Sequence, residues 1–75
     1  MALKVKVIGA GSIGNHLTHA CRSQGWDVTL VDSDSRALER AKTSIYPSRY
    51  GVWDDAIKLA SPEQTEAAKF DVVIV

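Results

Sequence analysis

The chain has 75 residues, of which 45% are apolar and 24% charged, and nine basic side chains balance nine acidic ones. This composition is typical of a globular protein, because disorder requires low hydrophobicity and a high net charge. It also argues against a nucleic-acid surface, which needs clustered excess lysine and arginine. The longest apolar run, residues 72–75, is much shorter than the roughly 20 residues of a membrane helix.

Cysteine usage and chain length limit the class of protein further. Cys21 is the only cysteine, so neither an internal disulfide nor a multi-cysteine zinc site can form. Lys4 and Lys6 interrupt the first apolar stretch, which argues against a secretory signal, and we expect a cytoplasmic protein. A domain of about 60 residues is only marginally stable. Because this chain also stops within its most apolar segment, we expect residues 1–75 to be the N-terminal part of a larger protein.

The first half of the chain predicts a strand, a helix and a second strand. Residues 3–8 are rich in β-forming side chains and predict the first strand. A helix is expected over 12–24, ending at Gly25. Its apolar residues share one face at the spacing i, i+4, i+7, i+8, and they are Ile13, Leu17, Ala20 and Cys21. Residues 28–31 predict the second strand, which ends at Asp32.

The second half predicts two further helix and strand pairs. Ser33 or Asp34 can cap a helix that extends to about residue 45. A loop bracketed by Pro47 and Gly51 is expected over 46–55, followed by a short strand at 56–60. Ser61 and Gln64 form a capping box for a short helix that ends near residue 69. Residues 70–75 predict a fourth strand that is apolar on both faces, as a buried parallel strand must be.

This alternation predicts an α/β fold with the order β-α-β-α-β-α-β and a parallel sheet. Right-handed crossovers place the strands in the order 3-2-1-4, with the first and fourth strands adjacent.

A glycine motif, G-x-G-x-x-G, lies between the first predicted strand and the first predicted helix. Gly9 permits a tight turn, Gly11 lets a pyrophosphate approach the backbone, and Gly14 lets the helix pack close to the sheet. The first turn of the helix leaves amides unpaired at its partly positive end. We therefore expect the amides of Ser12 and Ile13 to donate hydrogen bonds to phosphate oxygens.

An acidic residue follows at the end of the second predicted strand. This motif is followed, about 20 residues later, by an acid that binds the adenosine ribose, and Asp32 lies near that position. Its carboxylate would repel a 2′-phosphate, which favours NAD over NADP, although nearby Arg36 leaves NADP use open. Asp32 could instead only cap the next helix. Ser33 either contacts the ribose or adenine or is an ordinary turn residue.

Other kinds of site are disfavoured by the residues. Asn15 follows Gly14, whereas a P-loop requires lysine there. His16, His19 and Cys21 do not converge on one side of a helix, so we predict no metal site. A simple connecting turn, and binding of S-adenosylmethionine or a flavin at a similar glycine loop, remain alternatives to a nicotinamide dinucleotide.

Three segments together resemble the N-terminal dinucleotide-binding domain, a Rossmann fold, of NAD(P)-dependent dehydrogenases. They are residues 7–14, residues 28–32 and residues 70–75. Among such enzymes the chain resembles the glucose–fructose oxidoreductase and inositol dehydrogenase family, called Gfo/Idh/MocA. Through Ile45 it is also similar to the 3-hydroxyacyl-CoA dehydrogenase type, for which the interval from Ile45 to Phe70 is short.

The first resemblance implies an oxidoreductase that moves hydride between nicotinamide and a hydroxyl-bearing carbon, on a sugar or polyol. It implies cofactor binding by Gly9, Gly11, Ser12, Ile13, Gly14, Asp32 and Ser33. The catalytic residues and the substrate domain would lie beyond residue 75, so none is assigned here and these residues alone should not turn over substrate. A homo-oligomer and a small-molecule substrate are expected for the whole protein. A non-catalytic NAD(H) sensor stays open as an alternative.

Overall fold

A computed structural model describes residues 2–75 and contains one parallel four-stranded sheet in the order β3-β2-β1-β4. The strands are β1 (Lys4–Ile8), β2 (Asp27–Val31), β3 (Lys58–Ala60) and β4 (Val72–Ile74). The helices are α1 (Ser12–Ser23), α2 (Ser35–Arg40), a π-helical turn (Ala41–Ile45), α3 (Tyr46–Tyr50) and a 3-10 turn (Glu63–Thr65). The α/β class and the predicted strand order 3-2-1-4 are confirmed.

The core lies around β1 and β2. In register, Val5 of β1 pairs with Val28 on one side and with Val72 on the other. Val5, Val7, Val28 and Leu30 are fully buried, because β-branched and aliphatic side chains fill the space between the sheet and the helices. β4 forms an edge of the described sheet, where Val73 is 52% exposed.

The face that α1 turns to the sheet differs from the one predicted. Its buried residues are Gly14, Asn15, Thr18 and Cys21, whereas Ile13 is 76% exposed. The helix is rotated because Gly14 lies directly against the backbone of Gly9, so the positions four and seven residues later also face the sheet. The prediction that Ile13 packs in the core is therefore wrong, and Ile13 lies at the surface instead.

Pro47 does not end the second helix, so the loop expected over 46–55 begins only at Gly51. The amide of Tyr46 donates to the carbonyl of Ala41, five residues earlier, in a π-helical turn directly before the proline. Proline lacks an N–H and crowds the carbonyl four residues before it, and a locally wider turn relieves that conflict. The helix then continues to Tyr50 and ends at Gly51, whose φ is +89°.

The third predicted helix is reduced to the 3-10 turn at Glu63–Thr65. Half of the capping box forms, since Gln64 Oε1 accepts a hydrogen bond from the Ser61 amide at 2.7 Å. Thr65 is buried but residues 66–69 are all exposed, so no apolar face holds a longer helix against the sheet. The third and fourth strands are likewise shorter than predicted, at three residues each.

An aromatic cluster joins α3 to the outer side of α1. His19 stacks on Tyr50 with ring centroids 3.8 Å apart, and its Nδ1 lies 3.1 Å from the Tyr46 hydroxyl. Trp53 packs edge-on against Tyr46. His19 is half-buried in this cluster, whereas His16 is exposed.

Asp54 connects α1 to the loop that leads into β3. Its Oδ2 accepts from Arg22 Nε at 2.8 Å, and its Oδ1 accepts from the Ala56 amide at 2.9 Å. The hydrogen bond from Arg22, and after it the one from Ala56, hold the pKa of the Asp54 carboxyl below its usual range. Both side chains are partly exposed, so water weakens this ion pair.

We expect Asp54→Asn to destabilise the protein by about 1 kcal/mol at neutral pH. The unfolded-state pKa of an aspartate is about 3.9 and the folded one is lower, so the stabilisation is present in full above about pH 4. It is lost as the pH falls through the folded-state pKa. Urea unfolding of both proteins across this range should show the gap closing in acid. Asp55→Asn is the matched control, and a gap independent of pH would contradict the assignment.

Candidate functional site

The glycine loop joins β1 to α1 at the carboxyl edge of the sheet. The Gly9 amide donates to the Val31 carbonyl at 2.7 Å, and its φ of +105° is a conformation that glycine adopts without strain. Gly11 precedes α1 with no side-chain cap on the helix, and a Cβ built on Gly11 has no atom within 4 Å. The amino end of α1 therefore opens onto space that a ligand can occupy.

Gly14 leaves no room for any side chain. A Cβ at this position would collide with the carbonyl oxygen of Gly9, so only glycine allows α1 to lie this close to the loop. The result is a short, rigid connection between the strand and the first turn of the helix. Such close packing brings the helix amino end to the sheet edge, as phosphate binding at a helix terminus requires.

Asn15 stabilises the glycine loop through its side chain, a role that sequence analysis did not identify. Its side chain is fully buried, and its Nδ2 donates to the carbonyls of Ala10 at 3.0 Å and Gly11 at 2.8 Å. A buried amide that satisfies two loop carbonyls fixes the loop with a neutral group. The sequence did contain a signal for this role. If Gly14 faces the sheet, the next residue, Asn15, is a polar side chain that must also be buried.

Asp32 lies at the end of β2, beside the loop. Its Oδ2 accepts from the Ala10 amide at 2.9 Å, and its Oδ1 accepts from the Asp34 amide at 2.9 Å. Each carboxylate oxygen can accept more than one hydrogen bond, so both keep capacity for ribose hydroxyls. One hydrogen bond therefore joins Asp32, the candidate ligand of the ribose, to the loop that is the candidate phosphate-binding element.

The residues after Asp32 are arranged as a helix cap. Asp34 accepts from the Arg36 amide at 2.9 Å and caps α2, the role for which Ser33 was the other candidate. The hydrogen bond from the Arg36 amide, followed by its nearby charge, lowers the pKa of Asp34. Ser33 is exposed. Arg36 Nε lies 3.6 Å from Asp34 Oδ1, and the Arg36 side chain is 86% exposed and therefore solvated.

The glycine loop borders an open crevice of about 460 Å³. Five of the seven predicted cofactor-binding residues line it: Gly9, Gly11, Ser12, Ile13 and Gly14. Neither Asp32 nor Ser33 is among its lining residues, but Asp32 is joined to the glycine loop by the hydrogen bond from the Ala10 amide. Exposed Ile13 is part of the wall. The structure therefore brings the predicted phosphate ligands together, with the acid next to them.

Arg49 is a second residue that sequence analysis missed. Its Nη2 donates to Ser12 Oγ at 2.5 Å and its Nη1 to the Ser12 carbonyl at 3.3 Å. Arg49 reaches the loop only because the helix continues past Pro47. The expectation of a loop from residue 46 concealed this contact.

Among residues 2–75, no three side chains of His, Cys, Asp and Glu come together as metal ligands would. None of the helices described is long and apolar enough to span a membrane.

Residues 4–73 match the family described as "3-hydroxyacyl-CoA dehydrogenase, NAD binding domain". The chain is also 32% identical over 72 residues to the Trk system potassium uptake protein TrkA of Mycobacterium tuberculosis, in strains CDC 1551 and H37Rv. That match covers 96% of this chain and 31% of the relatives, so the chain spans about a third of their length. The Gfo/Idh/MocA family is not among these matches.

We expect Gly14→Ala to destabilise the protein by about 1–3 kcal/mol, because the added methyl overpacks a rigid backbone contact. Gly11→Ala introduces the same methyl two residues away from that contact, into open space and at a φ of −82°. Its effect should stay below about 1 kcal/mol. Thermal and urea unfolding of both variants measure the difference. Equal stability losses would show that the Gly9–Gly14 contact is not the reason for glycine here.

Proposed function

The chain belongs to the NAD-binding domain family of 3-hydroxyacyl-CoA dehydrogenases, and we propose that it forms the cofactor-binding part of an oxidoreductase that acts on a hydroxyl-bearing carbon. Membership of this family implies NAD(H) as the ligand.

The observation that carries the proposal is the hydrogen bond between the Asp32 carboxylate and the Ala10 amide. It ties the acid at the end of β2 to the glycine loop, so a ribose acceptor and a phosphate cradle form one unit. An adenosine diphosphate moiety has the same order of groups, with ribose next to pyrophosphate. The open space at Gly11 leaves the backbone accessible to that pyrophosphate.

Each predicted residue has a distinct role in this arrangement. The amides of Ser12 and Ile13 would donate to phosphate oxygens at the amino end of α1. Asp32 would accept from the ribose hydroxyls and disfavour a 2′-phosphate, which selects NAD over NADP. Exposed Ser33 would contact the adenosine only from the rim. Bound nicotinamide supplies the hydride acceptor or donor, and the protein orients it.

The substrate class follows from the two dehydrogenase families that the sequence resembles. Both act on a carbon that bears a hydroxyl, and we retain that shared feature as the proposal. A sugar or polyol remains our sequence-based prediction, and a 3-hydroxyacyl thioester is the alternative that the family match favours. We propose that catalytic groups come from outside residues 1–75, in a cytoplasmic homo-oligomer.

A second candidate function is a regulatory NAD(H)-binding domain without hydride transfer. The similarity to TrkA, a protein of a potassium uptake system, favours it, because the name of that relative describes transport rather than oxidation. Both candidates use the same glycine loop and Asp32. They differ only in whether a substrate is oxidised.

Absorbance at 340 nm distinguishes the two candidates. The whole protein that contains residues 1–75 is incubated with NAD and separate panels of polyols, sugars and 3-hydroxyacyl thioesters, because the oxidoreductase proposal places the catalytic groups outside these residues. Formation of NADH with one panel supports the oxidoreductase and identifies its substrate class. Binding of NADH without turnover on any panel supports the regulatory domain. Binding of S-adenosylmethionine or FAD in place of NADH would contradict both.

Asp32→Ala should weaken NADH binding by about 1–3 kcal/mol, the scale of a charged hydrogen bond. The variant also loses the bond to the Ala10 amide, which would weaken NADH and NADPH alike. Removing the repulsion of a 2′-phosphate helps only NADPH, so the preference for NADH should narrow by about tenfold. Calorimetric titration with both dinucleotides measures this ratio.

The control for this prediction is Asp34→Asn. It removes an equal charge two residues away, and asparagine can still cap α2. Its ratio of NADH to NADPH affinity should match that of the original protein. If Asp32→Ala weakens both dinucleotides by the same factor, Asp32 only positions the loop and does not bind the ribose.

A further inference from the structure

We propose that Arg49 and the Ser12 hydroxyl form an anion clamp that binds the diphosphate of the nucleotide, in addition to the backbone amides of the loop. This inference rests on the proposed NAD(H) site and adds to it a charged ligand from a distant part of the chain. A glycine loop that opens a helix can bind phosphate with amides alone, so nothing in the motif demands such a residue.

Geometry brings the guanidinium to the phosphate end of the site. Arg49 donates through both terminal nitrogens to Ser12, the first residue of α1, at 2.5 Å and 3.3 Å. Ser12 in turn lines the crevice next to Gly11. Arg49 is exposed, so its remaining N–H groups face solvent and can turn to a ligand.

The hydrogen bond from Arg49 leaves the Ser12 hydroxyl free to act as a donor. Arginine has no acceptor, so Ser12 Oγ must be the acceptor in its contact with Arg49. Its own proton is then available for donation to another group. A phosphate oxygen, which only accepts, satisfies this proton and the guanidinium together.

Charge also favours an anion here. The described residues 2–75 form three ion pairs, and Arg49 takes part in none of them. The first turn of α1 contains no acidic residue that could neutralise the guanidinium. The partly positive helix terminus adds to the same field. Arg49 is therefore a cation without an acidic partner within 4 Å, located beside a phosphate loop.

Contacts along α3 explain why Arg49 and not another basic residue occupies this position. Tyr46 contacts His19, and the Tyr50 hydroxyl lies 3.4 Å from His16 Nδ1, so α3 approaches the amino end of α1 as it advances. The aromatic stacking on His19 anchors this approach. Arg49 lies in the same short helix, and its side chain extends to Ser12.

The experiment compares Arg49→Gln with Arg36→Gln, using NADH, NADPH, ADP and adenosine in calorimetric titrations. Arg36 is the matched control, since it is an exposed arginine that pairs with Asp34. We expect Arg49→Gln to weaken NADH, NADPH and ADP by about tenfold each, with adenosine unchanged. Arg36→Gln should leave all four affinities unchanged. Arg49→Lys should recover part of the loss, because lysine keeps the charge but not the fork.

Salt dependence provides a second readout that a purely structural role would not move. The ADP affinity of the original protein should fall more steeply between about 0.05 M and about 0.5 M salt than that of Arg49→Gln. Circular dichroism of Arg49→Gln confirms that the variant is folded.

The possible failures are distinguishable. If the original protein binds NADH and Arg49→Gln binds NADH and ADP equally well, the clamp is wrong and the proposed function stands. A loss confined to NADPH would assign Arg49 to the 2′-phosphate and overturn the diphosphate assignment. An equal loss for adenosine would mean that the substitution disturbs the whole site. If the original protein does not bind NADH, the proposed function itself fails.

Discussion

The contact between Gly14 and the carbonyl oxygen of Gly9 determines how α1 sits on the sheet, and the rest of the site follows from that position. Because no Cβ fits there, the helix approaches the loop closely and turns Gly14, Thr18 and Cys21 inward. Asn15 is carried under the loop, where it donates to two carbonyls. The same rotation moves Ile13 outward into the wall of the crevice.

Asn15 shows how a neutral side chain can hold the glycine loop in place. A buried acid at this position would repel a phosphate, and a buried base would need a counter-ion. The Asn15 amide satisfies the carbonyls of Ala10 and Gly11 and adds no net charge. The Ala10 amide donates to Asp32, while the Ala10 carbonyl accepts from Asn15. The loop itself is therefore held by a neutral dipolar group and not by an ion pair.

The sequence was sufficient for the sheet and the glycine loop, because both are set by local patterns. The apolar runs around Val5 and Val28 and the spacing of three glycines each predict one structure. It was insufficient where two local rules conflict. Pro47 normally ends a helix, yet a π-helical turn accommodates it, and no residue pattern announces that turn. The face of α1 was mispredicted for a related reason, since apolar periodicity does not register a backbone contact at Gly14.

The family match was similarly only half predicted. The glycine motif and Asp32 are common to many dinucleotide-binding domains, so they identify the fold and the cofactor class but not the branch. The 3-hydroxyacyl-CoA dehydrogenase type, ranked second on the short interval before Phe70, is the one that residues 4–73 match. In the structure this interval contains α3, a three-residue strand and one 3-10 turn where a third helix was predicted. The length of this interval depends on how the chain covers one face of the sheet. It was therefore a poor guide to the family.

The helical run through Pro47 connects the two least predictable parts of the molecule. Without the π-helical turn, Tyr46 and Tyr50 would lose their relation to His19, and Arg49 would have no path to Ser12. Asp32 accepts a hydrogen bond from the loop at Ala10 and Arg49 donates to Ser12, so an acid and a base contact this region at different residues. A dinucleotide has a complementary polarity, since its ribose hydroxyls donate hydrogen bonds and its diphosphate accepts them. In the proposed site, two side chains of a chain with zero net charge would orient the dinucleotide, and the position of one of them depends on a proline that the helix tolerates.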